Sequence, residues 1–186
     1  MPMITTPRTV QGGDDQSRNP PVAIRAYRDG DWPAVCRVHD HARPDELSGS
    51  CDPRAFVPLA EERSEAESVH RSRKFVACVG EKVVGFVGVD GTYVSWLYVD
   101  PDHYGRGIGR RLLRLAVDLI GADAWTVCLA ENANARRLYE REGFRVSETF
   151  AAANNGYPCT CVRLTLSPPA SVNSRVLREQ CGEESQ

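Results

Sequence analysis

The sequence has no apolar run near the length of a membrane span, which excludes a transmembrane helix as its organising element. Residues 1–10 carry no apolar segment of the signal-peptide type, and we therefore expect a cytoplasmic protein. Neither sign of charge is in large excess. The net charge is −2 at pH 7, so no general affinity for nucleic acid or for a membrane is predicted. Lysine occurs only at positions 74 and 82, and arginine supplies almost all of the positive charge.

Paired cysteines at metal-ligand spacing are also missing. The seven cysteines stand at irregular intervals, and only Cys159 and Cys161 are close together, on one face of a strand-like run. No second Cys or His pair stands at the spacing of a zinc site. We therefore predict reduced, mostly buried thiols and no bound metal.

The length and composition predict one domain with two tails. A chain of 186 residues with 41% hydrophobic residues is typical of a single globular domain. Residues 1–21 are polar and rich in glycine and proline, which predicts a disordered N-terminal arm. Residues 167–186 are also polar and predict a disordered C-terminal tail. The folded domain is expected within residues 22–166.

The most informative stretch predicts a strand, a glycine loop and a helix, in that order. Residues 93–99 are rich in aromatic and β-branched residues, as strands are, and Asp100-Pro101 ends the run. Three glycines follow at alternate positions: Gly105, Gly107 and Gly109. Apolar residues then recur at helical spacing up to Leu119. A helix N-terminus offers unpaired N–H groups, and glycines admit a bulky anion, so this stretch predicts a phosphate site.

Two common phosphate-binding motifs do not fit this loop. A P-loop ends in Gly-Lys-Ser/Thr, whereas Gly109 is followed by Arg110-Arg111. A dinucleotide fingerprint reads G-x-G-x-x-G, and a match from Gly105 would need glycine where Arg110 stands. A match from Gly107 would need glycine at Leu112.

The loop resembles the acetyl-CoA loop of the GNAT superfamily of N-acetyltransferases, which reads Gln/Arg-x-x-Gly-x-Gly/Ala after the fourth strand. Tyr104-Gly105-Arg106-Gly107-Ile108-Gly109 matches its last four positions, and Tyr104 takes the Gln/Arg position. Because such a loop works largely through backbone amides, we expect this departure to be tolerated. A second stretch, Asn132 to Phe144, resembles the family's Asn-x-x-Ala-x-x-Leu-Tyr-x-x-x-Gly-Phe and stands at the required distance. The resemblance covers residues 22–166.

The predicted order of elements is βααβββαβαββ, which is also the GNAT order. The predicted strands cover residues 22–27, 74–79, 82–89, 93–99, 125–130, 144–150 and 159–166. The first helix is expected to end near Ala42 because Pro44 follows, and a second, broken helix is expected from Asp52-Pro53. The third helix follows the glycine loop, the fourth covers residues 132–142, and a loop over 154–158 joins the last two strands.

The predicted fold class is α/β of the α+β type. It is a single GNAT-like domain with a mixed, mostly antiparallel seven-stranded sheet and about four flanking helices. The resemblance implies that the fourth and fifth strands splay apart and that the cofactor lies in the gap between them.

The resemblance also implies the roles of particular residues. Backbone groups of three fourth-strand residues would hold the pantetheine arm and serve the developing oxyanion: Leu97, Tyr98 and Val99. The loop would hold the diphosphate, and its residues are Tyr104, Gly105, Arg106, Gly107, Ile108, Gly109 and Arg110. Asn132 is interpreted as a plain N-cap, a contact to the cofactor arm, or both. Tyr139 is interpreted as the general acid for the thiolate, with a core aromatic as the alternative.

The general base is not apparent from the sequence. Many family members carry a glutamate on the fourth strand, where this chain has Ser95. A water relay or a neutral amine would need no dedicated residue, and the side chains that remain as candidates are Asp40, His41, Asp45, Glu46 and Asp90. Residues 29–70 hold ten acids against four arginines. These acids either form a rim that attracts a cationic amine or belong to a solvated helix face.

We therefore predict transfer of an acetyl group from acetyl-CoA, as co-substrate, to a primary amine in a ternary complex. Transfer of a longer acyl group and a non-catalytic acyl-CoA-binding module are the alternatives. The expected partner is a small-molecule or peptide amine, with no nucleic acid and no membrane, and a homodimer is left open. The identity of the amine is not predicted.

Overall fold

The computed structural model describes residues 20–166 of the chain and contains one seven-stranded sheet. In chain order the strands are β1 Val22–Ala26, β2 Arg73–Val79, β3 Lys82–Asp90, β4 Tyr93–Val99, β5 Trp125–Leu129, β6 Phe144–Asn154 and β7 Tyr157–Leu166. The helices are α1 Trp32–Leu47, α2 Arg63–Arg71, α3 Ile108–Ile120 and α4 Ala133–Arg141. The strands lie in the order β1-β2-β3-β4-β5-β7-β6. All neighbours are antiparallel except β4 and β5, which confirms the predicted fold class.

Helices cover both faces of the sheet, because β3 and its neighbours carry apolar side chains on both sides. The core under α1 and α2 includes Val35, Val38, Val69, Val76 and Phe86. The core under α3 and α4 includes Val84, Val87, Leu112, Leu113 and Tyr139. Seven of the nine residues of β3 are buried, as expected for a strand that is covered on both faces.

The end of α1 corrects the sequence prediction. The helix does not stop before Pro44 but runs to Leu47, with Pro44 inside it. Proline removes one helical donor, yet Ser48 N still donates to the carbonyl of Pro44 at 3.0 Å. The last turn is anchored because Leu47 is 1% exposed and Arg43 is 5% exposed. Burial of these two side chains outweighs the lost hydrogen bond.

The prediction of a second helix that starts at Asp52-Pro53 is wrong. Asp52 does cap a turn, accepting from the N–H of Arg54 at 2.9 Å, but only a single 3₁₀ turn follows, Pro53–Ala55. The second helix begins instead at Arg63, past Pro58, with Glu62 as its N-cap. Leu59 lies between them fully buried, and its N–H donates to the carboxylate of Asp40 at 2.8 Å.

The last two strands are longer than predicted. Residues 154–158 do not form a loop, because Asn155 and Gly156 alone make the turn, with φ of 46° and 83°. Two successive residues in the left-handed region are typical of a tight type I′ hairpin turn. β6 and β7 therefore pair from Phe144 opposite Leu166 to Asn154 opposite Tyr157.

Several expectations are met or fall outside the described residues. The other predicted strands and α4 agree with the structure to within about two residues, a normal margin for element ends. The six cysteines of the described part are free thiols, but only Cys78 and Cys128 are buried and the other four are half-buried, so the prediction of mostly buried thiols is wrong. Within residues 20–166 no helix is long and apolar enough to cross a membrane. The predicted arm and tail lie outside the described residues, except for Pro20 and Pro21.

Candidate active site

The sheet opens between β4 and β5. The register of these parallel strands is limited to Tyr93 opposite Trp125. The hydroxyl of Thr126 donates to the carbonyl of Val94 at 2.9 Å, and beyond it no backbone pairing joins the two strands within residues 20–166. The gap is a cleft of about 1120 Å³. The predicted splay of the two strands is therefore confirmed.

The glycine loop forms one end of this cleft. Gly105 and Gly107 have φ of 73° and 72°, a left-handed conformation that glycine adopts without strain. Gly107 is the N-cap of α3, and the helical bonds begin with Arg111 N donating to its carbonyl at 3.1 Å. The N–H groups without an acceptor inside the helix are those of Ile108, Gly109 and Arg110. A Cβ on Gly105 or Gly107 would meet no atom within 4 Å, so the space over the loop is open.

Gly109 has a different reason to be glycine. A Cβ there would lie 3.3 Å from Cδ2 of Leu138 and 3.6 Å from Cγ2 of Val99. The missing side chain lets α3 approach α4 and the end of β4. The loop thus keeps its open N–H groups close to both walls of the cleft.

The loop arginines divide between the cleft and the outer surface. Arg110 lines the cleft and donates to Glu142 at 2.5 Å, and Arg114 donates to the same carboxylate at 2.7 Å. Burial raises the pKa of Glu142, but the hydrogen bonds from Arg114 and Arg110 outweigh it and hold that pKa below its usual range. The guanidinium of Arg106 instead donates to the carbonyl of Pro20 at 3.0 Å. Only the backbone of Arg106 is thus available to a ligand in the cleft.

β4 forms the wall beside the loop. Its one edge pairs with β3 as far as Gly85 opposite Val99. Beyond Val94 the other edge lies along the cleft without a strand partner in the described residues. Leu97, Tyr98 and Val99 all line the cleft, and so does Tyr104, which is 47% exposed. An unpaired strand edge offers backbone donors and acceptors to an extended ligand.

α4 supplies the opposite wall. Asn132 caps the helix, accepting from the N–H of Ala135 at 3.1 Å, and it also lines the cleft. Tyr139 is 6% exposed, yet it lines the cleft, and its ring packs on Phe144 with 5.7 Å between centroids. Burial raises the pKa of Tyr139 more than its hydrogen bond with Thr126 lowers it. The phenol therefore keeps its proton at neutral pH.

Comparison with known proteins shows which family this arrangement is similar to. The family model for an acetyltransferase (GNAT) domain matches residues 70–146, which include the glycine loop and Tyr139. The chain is similar to YafP of Escherichia coli (strain K12), an uncharacterized N-acetyltransferase. The identity is 28% over 133 residues, covering 67% of this chain and 81% of YafP. The part of the chain that holds the glycine loop and Tyr139 is thus similar to a GNAT domain.

Solved GNAT structures have the same fold. A GCN5-related N-acetyltransferase from Rhodopseudomonas palustris superposes with a TM-score of 0.68 at 19% identity, covering 78% of this chain and 95% of that one. YncA of Salmonella typhimurium, solved with its cofactor acetyl-CoA, has a TM-score of 0.58 at 21% identity, covering 83% of this chain and 99% of that one. At these identities the likeness is one of fold.

The end of the cleft at α1 and α2 is acidic. Arg43 in the last turns of α1 donates to Oε2 of Glu46 at 2.5 Å and to the hydroxyl of Tyr98 at 3.1 Å. It also donates to Oε1 of Glu65 on α2 at 3.4 Å. Tyr98 in turn donates its proton to Oε2 of Glu46. This cluster depends on the turn of α1 beyond Ala42, which is why the sequence analysis did not find Arg43 as a site residue.

The position of the usual GNAT carboxylate on β4 carries no base. Ser95 lines the cleft, and its hydroxyl lies 2.9 Å from that of Ser72. Of the five candidate bases, Asp45 and Glu46 line the cleft, whereas Asp40, His41 and Asp90 do not. His41 lies at the outer surface, 3.1 Å from the carboxylate of Asp100. Asp40 is bound to Leu59 N and to His39.

Proposed function

We propose that this GNAT-like domain transfers an acetyl group from acetyl-CoA to a primary amine by direct attack in a ternary complex. The observation that carries the proposal is the open gap between β4 and β5, at one end of which the N-terminus of α3 presents free N–H groups. The gap fits a long ligand with an anionic end. The edge of β4 can pair with an extended ligand, and the N-terminus of α3 at the end of the same cleft can bind an anion.

The residues of the loop would bind the diphosphate of acetyl-CoA. Gly105 and Gly107 adopt the left-handed conformation that occurs in concave sets of backbone N–H donors, which suit phosphate oxygens. Three arginines line the same end of the cleft: Arg110, Arg137 and Arg141. Their charge would favour the phosphates, and screening by salt would weaken that contribution.

The β4 edge would orient the reactive part of the co-substrate. Backbone groups of Leu97, Tyr98 and Val99 would pair with the pantetheine arm, and Asn132 would approach it from α4. A backbone N–H of β4 would stabilise the charge that develops on the acetyl oxygen, which is commonly the largest catalytic term. Such positioning fixes the thioester against an amine that approaches from the acidic end.

Tyr139 would protonate the departing thiolate. Its hydroxyl lies beside Thr126, where β5 leaves β4, and the raised pKa of Tyr139 keeps the proton available at neutral pH. A thiolate is a good leaving group, since thiols have a pKa of about 8.5. The acid therefore assists the reaction rather than being indispensable.

A turnover assay tests this function. The protein is incubated with acetyl-CoA and a panel of primary amines, and both the free CoA thiol and the mass of the amine product are measured. Thiol release matched by the gain of one acetyl group is the expected result. CoA binding without turnover of any amine would favour a binding module, to which the missing β4 carboxylate at Ser95 points. Faster turnover of butyryl-CoA than of acetyl-CoA would favour a longer acyl group.

A further inference from the structure

The two ends of the cleft carry opposite charge. At the loop end stand Arg110, Arg137 and Arg141. Of the ten acids between residues 29 and 70, three line the cleft, namely Asp45, Glu46 and Glu65. Asp45 lies beside Tyr104, next to the glycine loop, whereas Glu46 and Glu65 lie at the other end with Arg43 as the cation between them in the described residues. Two carboxylates against one guanidinium leave this end with a net negative charge.

The acidic end is short of hydrogen-bond donors as well as of positive charge. Arg43 is shared between Glu46 and Glu65. On its other side Glu65 faces Nε2 of His39, 3.7 Å from Oε2, and this fully buried nitrogen has no hydrogen-bond partner. When neutral His39 donates its Nδ1–H to Asp40 at 2.8 Å, Nε2 is itself an acceptor and gives Glu65 no hydrogen bond. In this tautomer a cation in the cleft would give Glu65 the partner that His39 does not.

Glu46 has one oxygen free for such a cation. Arg43 and Tyr98 both donate to Oε2, and no residue between 20 and 166 donates to Oε1. Its side chain is 18% exposed, and Oε1 is not among the buried atoms that lack a partner. Oε1 therefore reaches the surface of the cleft while Oε2 holds the carboxylate in one orientation.

Glu46 also lies within electrostatic reach of the opposite wall. Burial is the main cause of the raised pKa of Cys128, and the negative charge of Glu46 is the next. The same charge adds to burial in raising the pKa of Tyr139. The charged and titratable groups around Glu46 are Arg43 of α1, Glu65 of α2, Tyr93 and Tyr98 of β4, Tyr104 before the glycine loop, Cys128 of β5, Tyr139 of α4 and Cys161 of β7.

We propose that the acidic end of the cleft is the acceptor site for a cationic primary amine and that Oε1 of Glu46 takes the proton that makes this amine nucleophilic. The inference rests on the proposed function and names its substrate class and its base. Trp96 and Tyr98 line the same end and would add a cation–π contribution.

The proton balance of the reaction is complete with these groups. The bound ammonium gives one proton to Glu46, and the neutral amine forms the new C–N bond as the C–S bond breaks. The sulfur leaves with the pair of electrons and takes a proton from Tyr139. The second N–H proton of the attacking nitrogen restores Tyr139, and the proton on Glu46 passes to solvent. The products are the amide, the CoA thiol and one proton.

The pH profile of Glu46→Gln tests the role of this residue. General base catalysis contributes about 10²–10⁴-fold, so kcat/KM at neutral pH should fall about 100-fold or more. Because the variant uses only amine that is already neutral, its rate should rise about tenfold per pH unit until the amine is deprotonated. Glu67→Gln, an exposed carboxamide variant on α2 outside the cleft, is the matched control and should keep the wild-type profile.

A second measurement needs no variant. Putrescine, butylamine and γ-aminobutyrate share a four-carbon chain and a primary amine but differ in net charge. The wild-type protein should acetylate putrescine with at least about tenfold higher kcat/KM than γ-aminobutyrate, equivalent to about 1.4 kcal/mol. High salt should reduce this preference, because screening weakens exposed charges.

The outcomes separate this inference from the proposed function. Equal or better use of γ-aminobutyrate, or a Glu46→Gln variant with the wild-type profile, would overturn the assignment while leaving acetyl transfer intact. CoA affinity of Glu46→Gln is measured by calorimetry and should match that of the wild type, which shows that the variant is folded. Failure of every amine in the wild-type protein, by contrast, contradicts the proposed function itself.

Discussion

The variant Gly107→Val tests whether the glycine loop binds the diphosphate of CoA. Its effect on CoA affinity is compared with the effect of backbone strain on stability. Gly107 is the N-cap of α3 with φ of 72°, and a Cβ there would meet no atom of the protein within 4 Å. A valine side chain would therefore point into open space over the loop, where the diphosphate is expected. The left-handed conformation costs an L-residue about 1–2 kcal/mol, so some stability is lost as well.

The valine side chain would block N–H groups of the loop. The expected loss of CoA affinity is the contribution of the hydrogen bonds that these groups could no longer donate. Hydrogen bonds to charged groups contribute about 1.5–3 kcal/mol each. Losing two of them weakens binding by about 3–6 kcal/mol, which is about 10²–10⁴-fold in Kd. Calorimetric titration with CoA measures this change, and urea unfolding measures the cost in stability.

Gly80→Val is the matched control for strain. Gly80 lies in the β2–β3 turn with φ of 59°, a Cβ there is equally unobstructed, and the residue does not line the cleft. Both variants should lose similar stability, and only Gly107→Val should lose CoA binding. A CoA affinity of Gly107→Val within about threefold of that of Gly80→Val would refute the assignment of the loop.

Three further predictions concern Tyr139, Cys128 and the chain ends. Tyr139→Phe keeps the ring on Phe144, so stability and CoA affinity should change little, while kcat should fall about 100-fold or more. A wild-type rate, with chemistry rate-limiting, would make Tyr139 a core residue only. Burial raises the pKa of Cys128 to about 12, so the folded thiol keeps a proton that the unfolded chain loses. The free energy of unfolding should therefore fall as pH rises from about 8.5 towards 12, with about 1.5–2 kcal/mol of that loss at about pH 10 due to Cys128. Urea unfolding of Cys128→Ala should lack this part of the pH dependence, and an unchanged dependence would contradict the assignment. Removal of residues 1–19 and 167–186, which have no periodic apolar face, should leave the melting temperature and CoA affinity unchanged, whereas a large drop in either would mean that an end of the chain docks on the domain.

Local chemistry made most of the fold predictable from the sequence. Alternating and β-branched residues predicted the β2–β4 meander, and the alternate glycines after β4 predicted a helix N-terminus open to an anion. Such features depend on the φ that a residue can adopt and on the face that an apolar residue must bury, which are properties of a few consecutive residues. Asn132 belongs with them, since a cap bonds only three residues ahead.

Tertiary packing decided what neighbouring residues could not. α1 passes Pro44 because Arg43 and Leu47 are buried against other parts of the chain, and those contacts outweigh a missing helical bond. Arg106 turns away from the loop because the carbonyl of Pro20 lies nearby.

The acidic end of the cleft is the clearest case of this division. The sequence contained its acids among ten in one region, without indicating which of them share a site. Arg43, Glu46 and Glu65 come together near Tyr98 only because α1, α2 and β4 pack together. Arg43 and Tyr98, which are hydrogen-bonded, are 55 residues apart in the sequence. The amino-acid composition therefore determined that this region is acidic. Long-range packing decided that Glu46 lines the cleft and that its Oε1 has no donor within residues 20–166.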